Sequence, residues 1–209
     1  MIFTDEQYDN LLEYTQELSK NSGTSVSDYH YSRTYKHKND VKDYYNYLLS
    51  VLPPSTKLVK IDEHDFDKVS LIYQILPYCL TNWKYKCFLE NITYDIPEKY
   101  KDMCHEATVN HVKFGKHHPE YWDFDQENLI SKDNRDGVSR VIDGTQMPLD
   151  FIEEMAADIC AVAKERGNSP ESWLDKNIGT RWKLKSNQES HLRECVEIIK
   201  GSPKWKDLL

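Results

Sequence analysis

A histidine, an aspartate and, three residues past that aspartate, a lysine stand together in HDFDK, His64 to Lys68. Imidazole nitrogens and carboxylate oxygens suit a first-row divalent cation. The chain offers more of them on separate segments: His37, His111, the pair His117 and His118, and Asp158. An aspartate has two oxygens, so Asp65 can bridge two ions while His64 binds one of them. Two ions about 3.5 to 4 Å apart can clamp both the attacking and the leaving oxygen of a displacement. Lys68 adds a compact positive charge of the kind that meets a phosphate oxygen. The same residues also have plainer readings. HDFDK can be a polar turn, His37 a satisfied helix histidine, HVKFGKHHPEYW a helix end followed by a solvated turn, and Asp158 a surface ion-pair partner.

The elements that must position these side chains read as helices. Thr4 with Gln7 forms a capping box for a first helix bearing Tyr8, Leu11, Leu12 and Leu18, broken at Asn21–Asp28. A second helix is expected from about Tyr35 to Leu52, with His37, Val41, Tyr44 or Tyr45, and Leu48 on one stripe and Pro53-Pro54 as its stop. VSLIYQILPYCL reads as a buried helix interrupted at Pro77. Pro97 opens a helix to about Phe114 that carries His111 near its end. Residues 123–146 are polar and poor in apolar anchors, a long loop or lid. Pro148 opens a strong helix that contains Asp158 and stops at Gly167; Ser169-Pro170 starts a short helix, and Ser186 with Glu189 caps the last. No segment alternates like a strand, so the expectation is one all-α domain over 1–209, its core at about 30–200.

Composition sets the outer bounds. With 27 Lys and Arg against 35 Asp and Glu, the net charge of -8 gives no footprint for gripping duplex nucleic acid. The five cysteines are widely spaced and odd in number, which reads as reduced thiols in a cytoplasmic protein. The N-terminus lacks the basic and apolar regions of a signal peptide, and no apolar run approaches the roughly 20 residues that span a bilayer. Neither export nor membrane insertion is expected.

The order His37, His64-Asp65 with Lys68, then His111, His117 and His118, then Asp158 resembles the HD-domain superfamily of metal-dependent phosphohydrolases. The blocks HDFDK, HVKFGKHHPEYW and MPLDFIEEMAAD are similar to an uncharacterised branch of helical HD-like proteins found in bacteria and their phages. The resemblance implies an HD-like helical bundle around a central metal site, holding one or two divalent ions (Mn, Fe, Co, Zn, Ni or Mg) on His37, His64, Asp65, His111, His117, His118 and Asp158. His30 is the other choice for the first histidine. It also implies a small phosphorylated substrate such as a nucleotide, in a bacterial cell or a phage-infected host. Asp65, Lys68 and His118 are then the catalytic residues, with Lys68 on a phosphate oxygen and His118 protonating the leaving oxygen. Glu120 and Glu154 orient ligand imidazoles. Lys132, Arg135 and Arg140 in the long loop can close over phosphate. Asp67 departs from the small residue usual before this lysine. Two alternatives stay open: a diiron oxygenase on the same scaffold, and a non-catalytic binding protein that retains it.

Overall fold

In the computed structural model, which describes residues 3–53, 59–125 and 141–206, the chain is all-α. Its helices there are α1 (Asp5–Ser22), α2 (Val26–Val51), α3 (Asp67–Ser70), α4 (Ile72–Leu89), α5 (Glu98–Phe114), α6 (Pro119–Trp122), α7 (Leu149–Arg166), α8 (Pro170–Asn177), α9 (Ser186–Lys200) and α10 (Pro203–Lys206), with one 3-10 turn at Ile61–Glu63. Two strands, β1 (Ile142–Asp143) and β2 (Trp182–Lys183), pair in parallel. Pro54, Lys132, Arg135 and Arg140 lie outside the described residues, as do 126–140 of the expected long loop. None of the described helices is long and apolar enough to cross a membrane. All five cysteines are buried free thiols. The backbone divides into two compact units, Met1–Lys36 with Asp65–His111, and His37–His64 with Val112–Leu209.

In the first unit α1 packs on α4. Its capping box forms as expected: the Thr4 amide donates to Gln7 Oε1 at 2.8 Å and the Gln7 amide to Thr4 Oγ1 at 3.3 Å. Leu11, Leu76, Leu80, Tyr100, Met103 and Cys104 make one core cluster, and Val26, Cys79, Trp83 and Cys87 another. Two expected boundaries are corrected. α2 begins at Val26, because Ser25 Oγ accepts the Asp28 amide at 3.1 Å and Ser19 Oγ takes the Val26 amide at 3.0 Å, so the NSGTSVSD break shrinks to a short turn. The apolar run breaks at Leu71, and α4 continues through Pro77. The carbonyl that loses its helical donor to the proline belongs to Tyr73, which is 59% exposed, so water can serve it.

In the second unit α7 packs on α9, with Phe151, Ile152, Met155 and Ile159 on one helix and Leu192, Cys195, Val196 and Ile199 on the other buried. Val41, Tyr44, Tyr45 and Leu48 of α2 are buried, as their stripe required. Gly167 ends α7 in the left-handed region at φ 64°, and Ser169 caps α8 by accepting the Ser172 amide at 3.0 Å. The cap of α9 sits one residue earlier than expected, with the Lys185 amide donating to Gln188 Oε1 at 2.6 Å. Gln188 also donates to the Met147 carbonyl at 2.7 Å. The strand pair was not expected, since two residues are too few for alternation to register, and β1 falls inside the supposed loop 123–146. Asp123 braces this region by accepting the Asp125 amide at 2.8 Å and the Asp143 amide at 2.7 Å.

Two outcomes follow for the second unit. A Cβ on Gly144 would lie 2.9 Å from Pro119 Cβ and 3.1 Å from a Leu184 methyl. Gly144→Ala therefore lowers stability by about 1–3 kcal/mol, read by denaturant unfolding. His191 holds Glu153 at 3.1 Å, and that hydrogen bond, against the opposing effect of burial, raises its pKa above 6.5. Its contribution is complete below the unfolded value and is lost as pH rises through the folded one. The stability gap between the parent protein and His191→Gln is accordingly largest in mildly acidic solution and closes at higher pH.

Candidate metal centre

Twelve of the eighteen residues of α7 are buried, and three of those twelve are carboxylates: Asp150, Glu153 and Glu154. A buried carboxylate must be paired, because leaving water unpaired costs several kcal/mol. Glu154 and Asp158 are four residues apart and so share one face of α7. In the second unit that face meets histidines from three other segments: His37 of α2, His64 at the end of the 3-10 turn, and His117 just ahead of α6.

The contacts give each atom a role. His64 Nδ1 lies 2.9 Å from Glu154 Oε1, and His117 Nδ1 lies 3.4 Å from the same oxygen. A neutral His64 that donates from Nδ1 presents a lone pair at Nε2. That Nε2 is 3.4 Å from His37 Nε2 and 3.9 Å from Asp158 Oδ1, while His37 Nε2 and Asp158 Oδ1 are 3.0 Å apart. With His37 likewise protonated at Nδ1, these three atoms would form a small triangle of electron-pair donors. In a tetrahedral site with metal–ligand bonds of 2.0–2.1 Å, neighbouring ligand atoms are spaced by roughly 3.3 Å. The triangle brackets that spacing, and its two imidazoles and one carboxylate are a fitting donor set for a divalent ion. Glu154 stands behind His64 as the carboxylate that fixes the ring's tautomer and aim.

The backbone that carries His64 is itself tied down, since Lys38 Nζ donates to the His64 carbonyl and Lys42 pairs with Asp62 at 2.6 Å. The His117 ring lies over His64 at a centroid distance of 4.3 Å and beside His118 at 4.1 Å. Burial alone would raise the Glu154 pKa, but the charges and hydrogen bonds of His117 and His64 bring it down to about 2. Burial is likewise outweighed at Asp158, where His37, His64 and His117 hold the carboxyl well below its ordinary range. One fifth of the Asp158 side chain still reaches solvent. Glu120 is fully buried in α6, and its Oε1 accepts the Trp182 indole N–H at 3.1 Å.

The first unit holds a second polar group. Asp65 takes φ 53°, in the left-handed region that aspartate tolerates better than most side chains. His111 lies between two carboxylates, with Nε2 at 3.3 Å from Asp65 Oδ1 and Nδ1 at 3.0 Å from Asp67 Oδ2. Asp65, Asp67 and His111 form a group able to hold a cation. Lys68 Nζ donates to Asp65 Oδ2 at 2.8 Å and lies 5.3 Å from the centre of the Tyr78 ring. Burial pulls the Lys68 pKa down, but Asp65, Tyr78 and Asp67 raise it above the ordinary lysine value, so the ammonium keeps its charge.

His30 is fully buried in this unit, with Nε2 at 2.9 Å from the Lys68 carbonyl and Nδ1 at 2.8 Å from the Asn82 amide nitrogen. Both ring nitrogens are engaged, so His30 braces the Lys68 backbone. Sequence reasoning missed that brace, the hold of Lys38 on His64, and the partnership of Asp67 with His111. Each depends on chain segments that only folding brings together. The position of Lys38 directly after His37 was the one available hint.

Replacement of a donor removes more than replacement of its support. Asp158→Ala is expected to weaken Mn or Co binding at this triangle by at least about 100-fold, and Glu154→Gln by about 10- to 100-fold, in calorimetric titrations of folded protein. Equal, small effects of both changes would place the ion elsewhere.

Residues 26–201 match the model of a protein family described as Family of unknown function (DUF5662), a span that includes every residue of both polar groups. No curated protein and no solved structure matches the chain. With more than half of its length matched, the chain belongs to the family of unknown function DUF5662.

Proposed function

We propose that this chain is a metal-dependent phosphohydrolase acting on a nucleotide or another small phosphate ester. The observation that carries the reading is the triangle of His37 Nε2, His64 Nε2 and Asp158 Oδ1, with Glu154 orienting His64 from behind. A divalent ion held there would supply Lewis acidity and lower the pKa of a water from 15.7 to about 7. The order of these residues along the chain, and its likeness to the HD-domain pattern, extend the reading from metal binding to phosphate chemistry.

The chain's own groups have defined work in it. His37, His64 and Asp158 would hold the ion. Glu154 keeps the Nδ1 proton of His64 away from the metal face and aligns His117 through the same oxygen. His118 is half-buried beside His117 and is a candidate to hand a proton to the leaving oxygen. In the first unit Lys68 keeps the positive charge that the HD-like motif would assign to a phosphate oxygen. The -8 net charge favours a small phosphorylated substrate over duplex nucleic acid.

Purified protein loaded in turn with Mn, Co, Fe and Mg should hydrolyse a phosphate ester or anhydride bond in at least one member of a panel of nucleoside mono-, di- and triphosphates and cyclic nucleotides. Asp158→Asn should lower that rate by about 1,000-fold or more, in line with losing a metal donor. Turnover with redox-silent Mg under nitrogen would exclude oxygen activation. A fully loaded protein that hydrolyses nothing in the panel would contradict the proposal.

A further inference from the structure

We propose that Asp67 is the positioning residue for His111: it takes the Nδ1 proton and so commits the Nε2 lone pair to a cation shared with Asp65. The role concerns the first unit alone, and the metal-binding part of its test rests on the functional reading above.

In sequence Asp67 looks like a surplus negative charge beside Lys68. The structure gives it other partners. Its Oδ2 lies 3.0 Å from His111 Nδ1 and accepts from Gln74 Nε2 at 3.3 Å. Lys68 donates instead to Asp65 Oδ2 at 2.8 Å. The two aspartates therefore divide the neighbouring donors between them. Gln74 and His111 are both buried, and the ring edge of His111 is further confined by Tyr78, which meets it at 87° with centroids 6.2 Å apart.

A neutral imidazole has one N–H, and the carboxylate that accepts it decides which nitrogen is left basic. With Asp67 on Nδ1 at 3.0 Å, Nε2 is the basic atom, and it lies 3.3 Å from Asp65 Oδ1. In the neutral Nδ1–H form, that lone pair and the Asp65 oxygen are two donors at a spacing a cation can bridge. Metal-bound histidines are held in the same way, by a carboxylate on the far nitrogen. Asp67 thus acts through His111 and contributes no donor atom to the ion itself. The pairing repeats, on different helices, the relation of Glu154 to His64 in the second unit.

The test uses the full chain with 15N-labelled histidine. In metal-free protein near pH 8, long-range 1H–15N spectra should show His111 as the Nδ1–H tautomer in the parent and in Asp67→Asn, whose amide oxygen still accepts. Asp67→Ala should shift the ring towards Nε2–H. Titration with Mn should then show Asp67→Ala weakened by about 10- to 100-fold with an unchanged number of ions at saturation, and Asp67→Asn restored most of the way. An unchanged tautomer in Asp67→Ala would overturn the positioning role. A lost ion in Asp67→Asn would make Asp67 a ligand and overturn it equally. If Asp67→Ala fails to fold, Gln74→Leu, which removes the other donor to Asp67 Oδ2, must perturb the His111 signals or the proposal fails. A parent protein that binds no Mn would contradict the functional reading and still leave the tautomer measurement to decide this one.

Discussion

The second unit depends on two imidazoles and two carboxylates drawn to one point. His64 Nε2, His37 Nε2 and Asp158 Oδ1 lie within 3.9 Å of each other, and Glu154 meets the far nitrogen of His64 at 2.9 Å. Buried ionised or lone-pair atoms lose their hydration and recover it only through partners, and here each imidazole and carboxylate finds one in the other. The same three atoms are a donor set that could hold a small divalent cation.

The scaffold supplies the rigidity this requires. α7 packs on α9, with Phe151, Ile152, Met155 and Ile159 buried, which fixes the adjacent side of the helix that bears Glu154 and Asp158. His37 shares its helix with the buried stripe of Val41, Tyr44, Tyr45 and Leu48, so the same burial that folds α2 also aims the imidazole. His64 has no long helix to hold it. Lys38 holds its carbonyl and Glu154 its ring, one restraint on the backbone and one on the side chain. Preorganisation of this kind lowers what binding must spend on ordering side chains.

Much of this was legible in the sequence, for reasons that differ by residue. Thr4 with Gln7, Gly167 and Ser169-Pro170 fixed helix ends because capping is local and written in a few side chains. His37 was legible because periodicity put it on the apolar stripe of a helix, whereas Glu154 and Asp158 were picked out of the helix after Pro148 by the HD-like resemblance. Pro77 misled because a proline near the start of a helix costs one hydrogen bond that water can replace. The strand pair, the indole partner of Glu120, the brace on His30 and the turn of Asp67 towards His111 join residues 38 or more positions apart. No local pattern encodes such pairings. Asp67 is the instructive case: adjacency to Lys68 suggested an ion pair, while the fold gave Lys68 to Asp65 and Asp67 to an imidazole.

The most direct test is a crystal structure of the protein grown with Mn, with data collected for anomalous scattering. The account predicts an anomalous peak within bonding distance of His37 Nε2, His64 Nε2 and Asp158 Oδ1, with Glu154 still on His64 Nδ1. A saturated crystal with no density at that triangle, or with Glu154 swung away and the ion bound at other residues, would contradict it.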